Sequence, residues 1–326
     1  MTKEPAAGAP PMIEATGLAR SFGAVEALRG VDLRVAGGEL YGLVGPDGAG
    51  KTTTMRLLAG LLRPSRGELR VRGERPLGGG AVREQLGLMP QEFSLYRDLS
   101  IAENLRFFGR LFALPRAVFE ERRARLLGIT RLAPFEDRPA GKLSGGMYKK
   151  LALACALLHE PRVLLLDEPT NGVDPVSRRE LWELVYEFVD QGMTVVVTTS
   201  YMDEAERCHR VGLMHDGVLL AEGAPAALVA GLDEEAWEVD AADRRAVHRV
   251  LDAAPYVVAA SPAGERLGVL VAPGGGEQLR SDLAGLDAAL RPARPTFEDL
   301  FLVRVAAGSA RGRAPALGRG GPGEAA

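Results

Sequence analysis

Between Leu40 and Leu62 a short apolar run, a glycine-rich octapeptide and a helix-like segment follow one another directly. The octapeptide, Gly45-Pro46-Asp47-Gly48-Ala49-Gly50-Lys51-Thr52, fits the pattern G-x-x-x-x-G-K-[ST]. A polyphosphate is held by several backbone N–H groups converging on one point. Only a glycine-permitted turn exposes them, at a helix N-terminus whose dipole favours anions. In such a loop Lys51 reaches the β- and γ-phosphates and the Thr52 hydroxyl ligates Mg²⁺, with Thr53 beside them in the first helical turn. A chance glycine-rich turn has no reason to sit after a strand and before a helix, as this one does.

The surrounding pattern is that of an α/β core. Val31, Leu33 and Val35 alternate with charged residues, as in a half-buried strand. Val163–Leu166 and Thr194–Thr198 are buried-strand candidates that each follow a longer helical segment, which implies a largely parallel sheet covered on both faces. Leu99 to Leu127 reads as one continuous helix, with Leu105, Phe108 and Phe112 on one face, and hence as a helical insertion. Asp216-Gly217 between apolar flanks signals a hairpin that closes this block near Gly223. A second block reads strand, helix, strand, strand, helix, strand. Trp237–Asp240, Tyr256–Ala260 and Leu267–Ala272 are strands, Val247, Val250, Leu251 and Ala254 stripe one helix, and Leu279, Leu283, Leu286 and Leu290 stripe the other. That order matches a ferredoxin-like α+β unit. Residues 1–11 and 306–326, poor in large apolar side chains, read as disordered tails around blocks at 12–223 and 224–305.

Leu164-Leu165-Leu166-Asp167-Glu168 supplies the partner of the loop. A buried strand delivering Asp167 at its carboxyl end can hold the Mg²⁺ shell, and Glu168 can polarise an attacking water. Leu143-Ser144-Gly145-Gly146-Met147 opens a further helix, so Ser144 and the backbone at Gly145 and Gly146 present a second anion-binding N-terminus. These motifs, in this order and spacing, resemble those of ATP-binding cassette (ABC) proteins, the last being similar to their LSGGQ signature. The resemblance covers roughly residues 12–223 and implies ATP and Mg²⁺ as cofactors and a P-loop NTPase cassette with a helical insertion. It implies that the signature of one subunit faces the γ-phosphate held by another. With one phosphate loop and one signature per chain, a homodimer or a paired ATPase subunit is expected. It implies that Gln91, in Met89-Pro90-Gln91-Glu92, contacts Mg²⁺ or water and links to the insertion, and that Phe22 stacks on adenine. Asn171-Gly172-Val173-Asp174 resembles the D-loop, with Asn171 and Val173 where Ser and Leu are commoner. After the Val195-Val196-Val197 strand the family usually places a histidine at the γ-phosphate; here Ser200 stands in that position. A hydroxyl still donates a hydrogen bond, but it is shorter and never charged. Because Glu168 remains, retained hydrolysis is favoured over a dead site.

Composition narrows the partners. Lys+Arg 40 against Asp+Glu 43 leaves a net charge of -3, with no basic excess that would argue for a nucleic acid. Two cysteines, Cys155 and Cys208, make no disulfide framework, which points to a reducing compartment. No apolar run reaches the ~18 residues of a membrane span, and the first ten residues lack the apolar core of a signal peptide. Tyr201-Met202-Asp203-Glu204-Ala205-Glu206 and Pro295-Thr296-Phe297-Glu298-Asp299-Leu300-Phe301 are similar to segments of ATPase subunits of ABC-2 type exporters. Those subunits dock beneath a separate membrane-spanning permease. The resemblance therefore implies a cytoplasmic protein, peripheral on the inner face of a bacterial plasma membrane. Two other classes stay open: a soluble ABC ATPase acting on ribosomes or DNA, and a regulatory ATP-binding subunit with weak turnover, for which Ser200 is the motive.

Overall fold

The computed structural model describes residues 11–77, 82–92 and 95–310; of the two expected tails, residues 1–10 and 311–326 lie outside them. The chain forms two compact units that divide after Pro225.

In the first unit β1 (Pro11–Phe22) and β2 (Val25–Ala36) make a hairpin that turns at Gly23, where φ is +59°. β3 (Leu40–Val44) leads into α1 (Lys51–Leu58), and β4 (Arg66–Val71) returns to complete an antiparallel sheet of order β2-β1-β4. There follow β5 (Leu86–Met89), α2 (Ile101–Leu111), α3 (Arg116–Ile129), α4 (Gly145–Leu157), β6 (Val163–Asp167) and α5 (Pro175–Asp190). β7 (Thr194–Thr199), β8 (Arg210–His215) and β9 (Val218–Gly223) end the unit. The second sheet has the order β5-β6-β7-β3-β8-β9 and is parallel except for β9. β3, β6 and β7 are buried at every residue, which is why their sequences do not alternate apolar with polar residues. The β8–β9 turn has φ of +49° at Asp216 and +77° at Gly217, the two positive values that a two-residue hairpin turn requires.

What anchors the phosphate loop is the burial of α1. Met55, Leu57 and Leu58 are at most 1% exposed and pack between the two sheets. Each such side chain contributes about 1.5–3 kcal/mol relative to exposure.

The helical insertion differs from the expected single helix. α2 ends at Leu111 and α3 begins at Arg116, separated by Ala113 at φ +51° and by Pro115 at the N-cap of α3. Proline has no N–H to continue the ladder and drives the residue before it out of helical space. α2 itself opens with a capping box, Ser100 accepting from the Glu103 N–H while the Glu103 carboxylate accepts from the Ser100 N–H at 2.8 Å.

α6 (Pro225–Ala230) spans the division between the units. The second unit then contains β10 (Glu235–Ala241), α7 (Arg244–Ala253), β11 (Val257–Ala263), β12 (Arg266–Val271), α8 (Gly276–Leu283), β13 (Ala288–Ala293) and α9 (Phe297–Ala310). Its sheet is antiparallel throughout, in the order β11-β12-β10-β13, the arrangement of a ferredoxin-like unit. Trp237, Val239, Val247, Leu251, Leu279 and Leu283 form its core. Leu290 does not continue the expected helical stripe: α8 stops at Leu283, and Leu290 lies on β13 opposite Val239. α9 also runs five residues past residue 305, into the segment expected as a tail.

Candidate nucleotide site

The phosphate loop joins the carboxyl end of β3 to the N-terminus of α1. A Cβ on Gly45 would lie 2.0 Å from the Met214 carbonyl oxygen on β8. At Gly50, where φ is +104°, one would come within 2.7 Å of the Ala27 carbonyl. Both obstacles are backbone, so no side-chain movement relieves them. The Gly45 N–H donates to the Thr199 carbonyl at 3.2 Å, and the Gly217 N–H donates to the Ala49 carbonyl at 3.0 Å. The loop is thus pinned to β7 at its start and to the β8–β9 turn near its middle. No side chain caps α1, and an uncapped helix N-terminus leaves first-turn N–H groups for an anion.

The parallel register of β6 and β7 builds the acidic half. Asp167 pairs with Thr198, whose hydroxyl donates to Asp167 Oδ1 at 2.7 Å and accepts from the Glu168 N–H at 2.9 Å. The Thr52 hydroxyl donates to the same Asp167 oxygen at 3.2 Å. Glu168 has φ +47°, a left-handed conformation that costs a non-glycine residue about 1–3 kcal/mol and clusters at functional positions. Its carboxylate meets Lys51 Nζ at 3.1 Å, with both side chains at most 5% exposed. The other carboxylate oxygen accepts from Gln91 Nε2 at 3.0 Å and Asn171 Nδ2 at 3.3 Å. Lys51 also donates to the carbonyls of Gly45 at 2.7 Å and Pro46 at 3.0 Å. A buried ion pair gives little net stability, because desolvation offsets its attraction. The pairing of Lys51 with Glu168 therefore points to chemistry.

These groups surround a cavity of about 270 Å³ lined by Ala27, Asp47, Gly48, Ala49, Gly50, Lys51, Thr52, Thr53, Gln91 and Glu168. The Asp47 side chain is 92% exposed and 4.0 Å from Lys51 Nζ. Other expected site residues stand apart. Ser144 caps α4 by accepting from the Met147 N–H at 3.3 Å, and Gly146 packs so closely on Ser177 that a Cβ would meet its hydroxyl at 2.2 Å. Ser144, Gly145 and Gly146 do not line the 270 Å³ cavity; Gly145 lines a second one of about 370 Å³ with Lys149 and Asn171. Phe22 sits at the β1–β2 tip, 44% exposed, with the Arg20 guanidinium 4.5 Å above its ring. Ser200 follows β7 directly and is half-buried, one residue past the carbonyl that holds Gly45.

Three groups that the sequence reading did not assign to the site also belong to this constellation. Thr198 orders both acids, as above. Lys149, on α4, donates to the Gln91 carbonyl at 3.1 Å and to the Glu168 carbonyl at 3.4 Å. Burial pushes its pKa down, and the carboxylates of Glu168, Asp167 and Glu92 oppose that shift. Glu204 is fully buried and accepts from Thr199 at 2.7 Å, Thr170 at 3.0 Å and Trp182 Nε1 at 3.2 Å, with Arg178 Nε at 3.4 Å. It ties the segment after β7 to the segment after Glu168.

A glycine loop ahead of an uncapped helix, a buried lysine, and an acid pair at the end of an adjoining parallel strand define a P-loop NTPase site. Comparison with known proteins narrows the class. The family model for the ABC transporter matches residues 28–171. The Nod factor export ATP-binding protein I of Rhizobium sp. (strain N33) is 37% identical over 297 residues, covering 89% of this chain and 95% of that protein. The chain belongs to the ABC transporter family. The probable multidrug ABC transporter ATP-binding protein YbhF of Escherichia coli (strain K12) is 50% identical over 220 residues, 67% of this chain; the match spans only 38% of that relative's length. Among solved structures, a dimeric post-hydrolysis state of an ATP-binding cassette bound to ADP and Pi superposes with a TM-score of 0.60 at 25% identity, covering 65% of this chain and 98% of that one.

Proposed function

We propose that the chain binds and hydrolyses ATP, and that the cycle drives export through a separate ABC-2 type membrane permease. The observation that carries this reading is the meeting of Lys51, Gln91 and Glu168 around one cavity, with Thr52 bridging to Asp167. Backbone N–H groups of the loop from Gly45 to Thr52, with Thr53 in the first turn of α1, bind the phosphates, and Lys51 takes the β- and γ-phosphate charge. Thr52 and Asp167, with Gln91 beside them, would hold Mg²⁺, which neutralises phosphate charge; a hydroxyl and a carboxylate are the hard oxygen donors that ion favours. Glu168 accepts the proton of the attacking water. Gln91 and Ser200 orient that water through hydrogen bonds, and Phe22 stacks on the adenine. Ser144, Gly145 and Gly146 offer the uncharged N-terminus of α4 to the γ-phosphate of a paired cassette, so ATP is buried between two subunits and hydrolysis parts them.

Export is supported by the relatives, named for multidrug transport and for Nod factor export. Among the described residues no helix is long and apolar enough to cross a membrane. In this reading the permease supplies the path, and the chain is peripheral on the inner face of the plasma membrane. Co-expression with the product of an adjacent permease gene tests the assignment. A tagged permease should retain the chain through detergent purification and raise its ATPase rate. A chain recovered only in the unbound fraction contradicts it.

A further inference from the structure

The signature helix reaches the proposed base through one side chain. Lys149 lies on the second turn of α4, past the N-cap Ser144, and its ammonium bridges two carbonyls, those of Gln91 at 3.1 Å and Glu168 at 3.4 Å. Those are the two residues whose side chains already meet, Gln91 Nε2 donating to Glu168 Oε2 at 3.0 Å. The Glu168 backbone is held at both ends: Thr198 takes its N–H from β7, and Lys149 takes its carbonyl from α4. The held residue has φ +47°, so the direction of its carboxylate depends on a conformation the chain would leave if released. Pro169 follows, so the peptide that Lys149 grips has no N–H with which to anchor itself. Burial pushes the ammonium's pKa down, and the carboxylates of Glu168, Asp167 and Glu92 oppose that shift.

We propose that Lys149 is a positioning residue for hydrolysis, coupling the signature helix to the orientation of Glu168 and Gln91 through their two carbonyls. The inference rests on the ATPase reading given above. Lys149 lines none of the phosphate-loop cavity. Its loss therefore acts on turnover and leaves nucleotide binding in place. A misplacement of about 1 Å at a reacting group costs on the order of 10²-fold in rate. Lys149→Met in the full chain should therefore lower kcat by about 10–100-fold while Kd for a fluorescent ATP analogue stays within about twofold. Lys149→Arg keeps the cation and can donate to both carbonyls, and should recover most of the lost rate. A helix merely loosened by the substitution would lose binding and turnover together and would not be rescued by arginine. Should the Met variant not fold, Lys149→Gln replaces it with the same kcat-against-Kd readout. Wild-type kcat in a folded Met or Gln variant overturns the inference, and so does an arginine variant as slow as the Met one. A wild-type chain that neither binds nor hydrolyses ATP overturns the ATPase reading, and this inference with it.

Discussion

Replacing Thr198 with valine removes one oxygen and keeps the shape. The residue is fully buried in β7, next to Val195, Val196 and Val197, so valine preserves β-branching and packing and opens no cavity. Two bonds are lost: the donation to Asp167 at 2.7 Å and the acceptance from the Glu168 N–H at 2.9 Å. A hydrogen bond to a charged group is worth about 1.5–3 kcal/mol, and an orphaned buried donor costs about 1–3 kcal/mol. Thr52 still donates to Asp167, which moderates the first loss. The expected destabilisation is about 2–4 kcal/mol, well above the ~0.5 kcal/mol of an ordinary surface change. The chain has two tryptophans, Trp182 on α5 and Trp237 on β10, one in each unit. In a Trp237→Phe background, urea unfolding followed by Trp182 fluorescence reports the first unit alone. The Mg²⁺ concentration needed for ATP binding should also rise by about 10–100-fold, as when a ligand's supporting bond is removed. A shift below ~0.5 kcal/mol with unchanged Mg²⁺ dependence would refute the role given to Thr198.

Three further outcomes follow from the geometry. Gly48→Ala meets nothing within 4 Å and pays only for φ +80°, about 1–2 kcal/mol, whereas Gly45→Ala collides with backbone at 2.0 Å; Gly45→Ala should be the more destabilising in urea melts and lose ATP binding, and equal effects would contradict the loop geometry. His159 stacks on Phe112 at 3.8 Å, and burial, aided by the Arg122 charge, holds its pKa below the ordinary 6.5 despite the bond to the Leu86 carbonyl. The folded chain keeps this ring neutral where the unfolded chain protonates it, so its contribution is complete above about pH 6.5 and is lost as pH falls below that, by at most ~1.4 kcal/mol per pH unit; His159→Phe should flatten that part of the stability profile, and an unaltered slope refutes the assignment. Ser200→His should maintain or raise the ATPase rate if the serine is a weakened substitute; a large loss would show that Ser200 serves a different geometry.

The residues legible in the sequence are those whose chemistry requires contiguity. A phosphate cradle needs its glycines, Lys51 and Thr52 on one turn, and an acid pair needs a buried strand to deliver it, so both are written locally. Thr198, Lys149 and Glu204 act across elements. Thr198 matters because β6 and β7 pair in parallel, Lys149 because α4 passes beneath Gln91 and Glu168, and Glu204 because three separate segments converge on its carboxylate. A polar residue directly after the Val195-Val196-Val197 run is the one local signal, and it applies to Thr198 alone. The break at Pro115 is a local signal, since proline cannot continue a helix, whereas the apolar spacing of Leu105, Phe108 and Phe112 speaks only for the helix before it. Leu290 misled for a different reason. Helical spacing and strand alternation coincide over so few residues, and Leu290's pairing with Val239 decided the matter.

Glu168 is proposed as the base of the ATPase site, with nucleotide held independently of it. Single-turnover phosphate release from Mg²⁺–ATP, compared between the wild-type chain and Glu168→Gln, tests it most directly. The wild type should release phosphate, and the variant should bind ATP equally well while releasing phosphate on the order of 10²–10⁴ times more slowly. Release at the wild-type rate by Glu168→Gln would show that Glu168 is not the base.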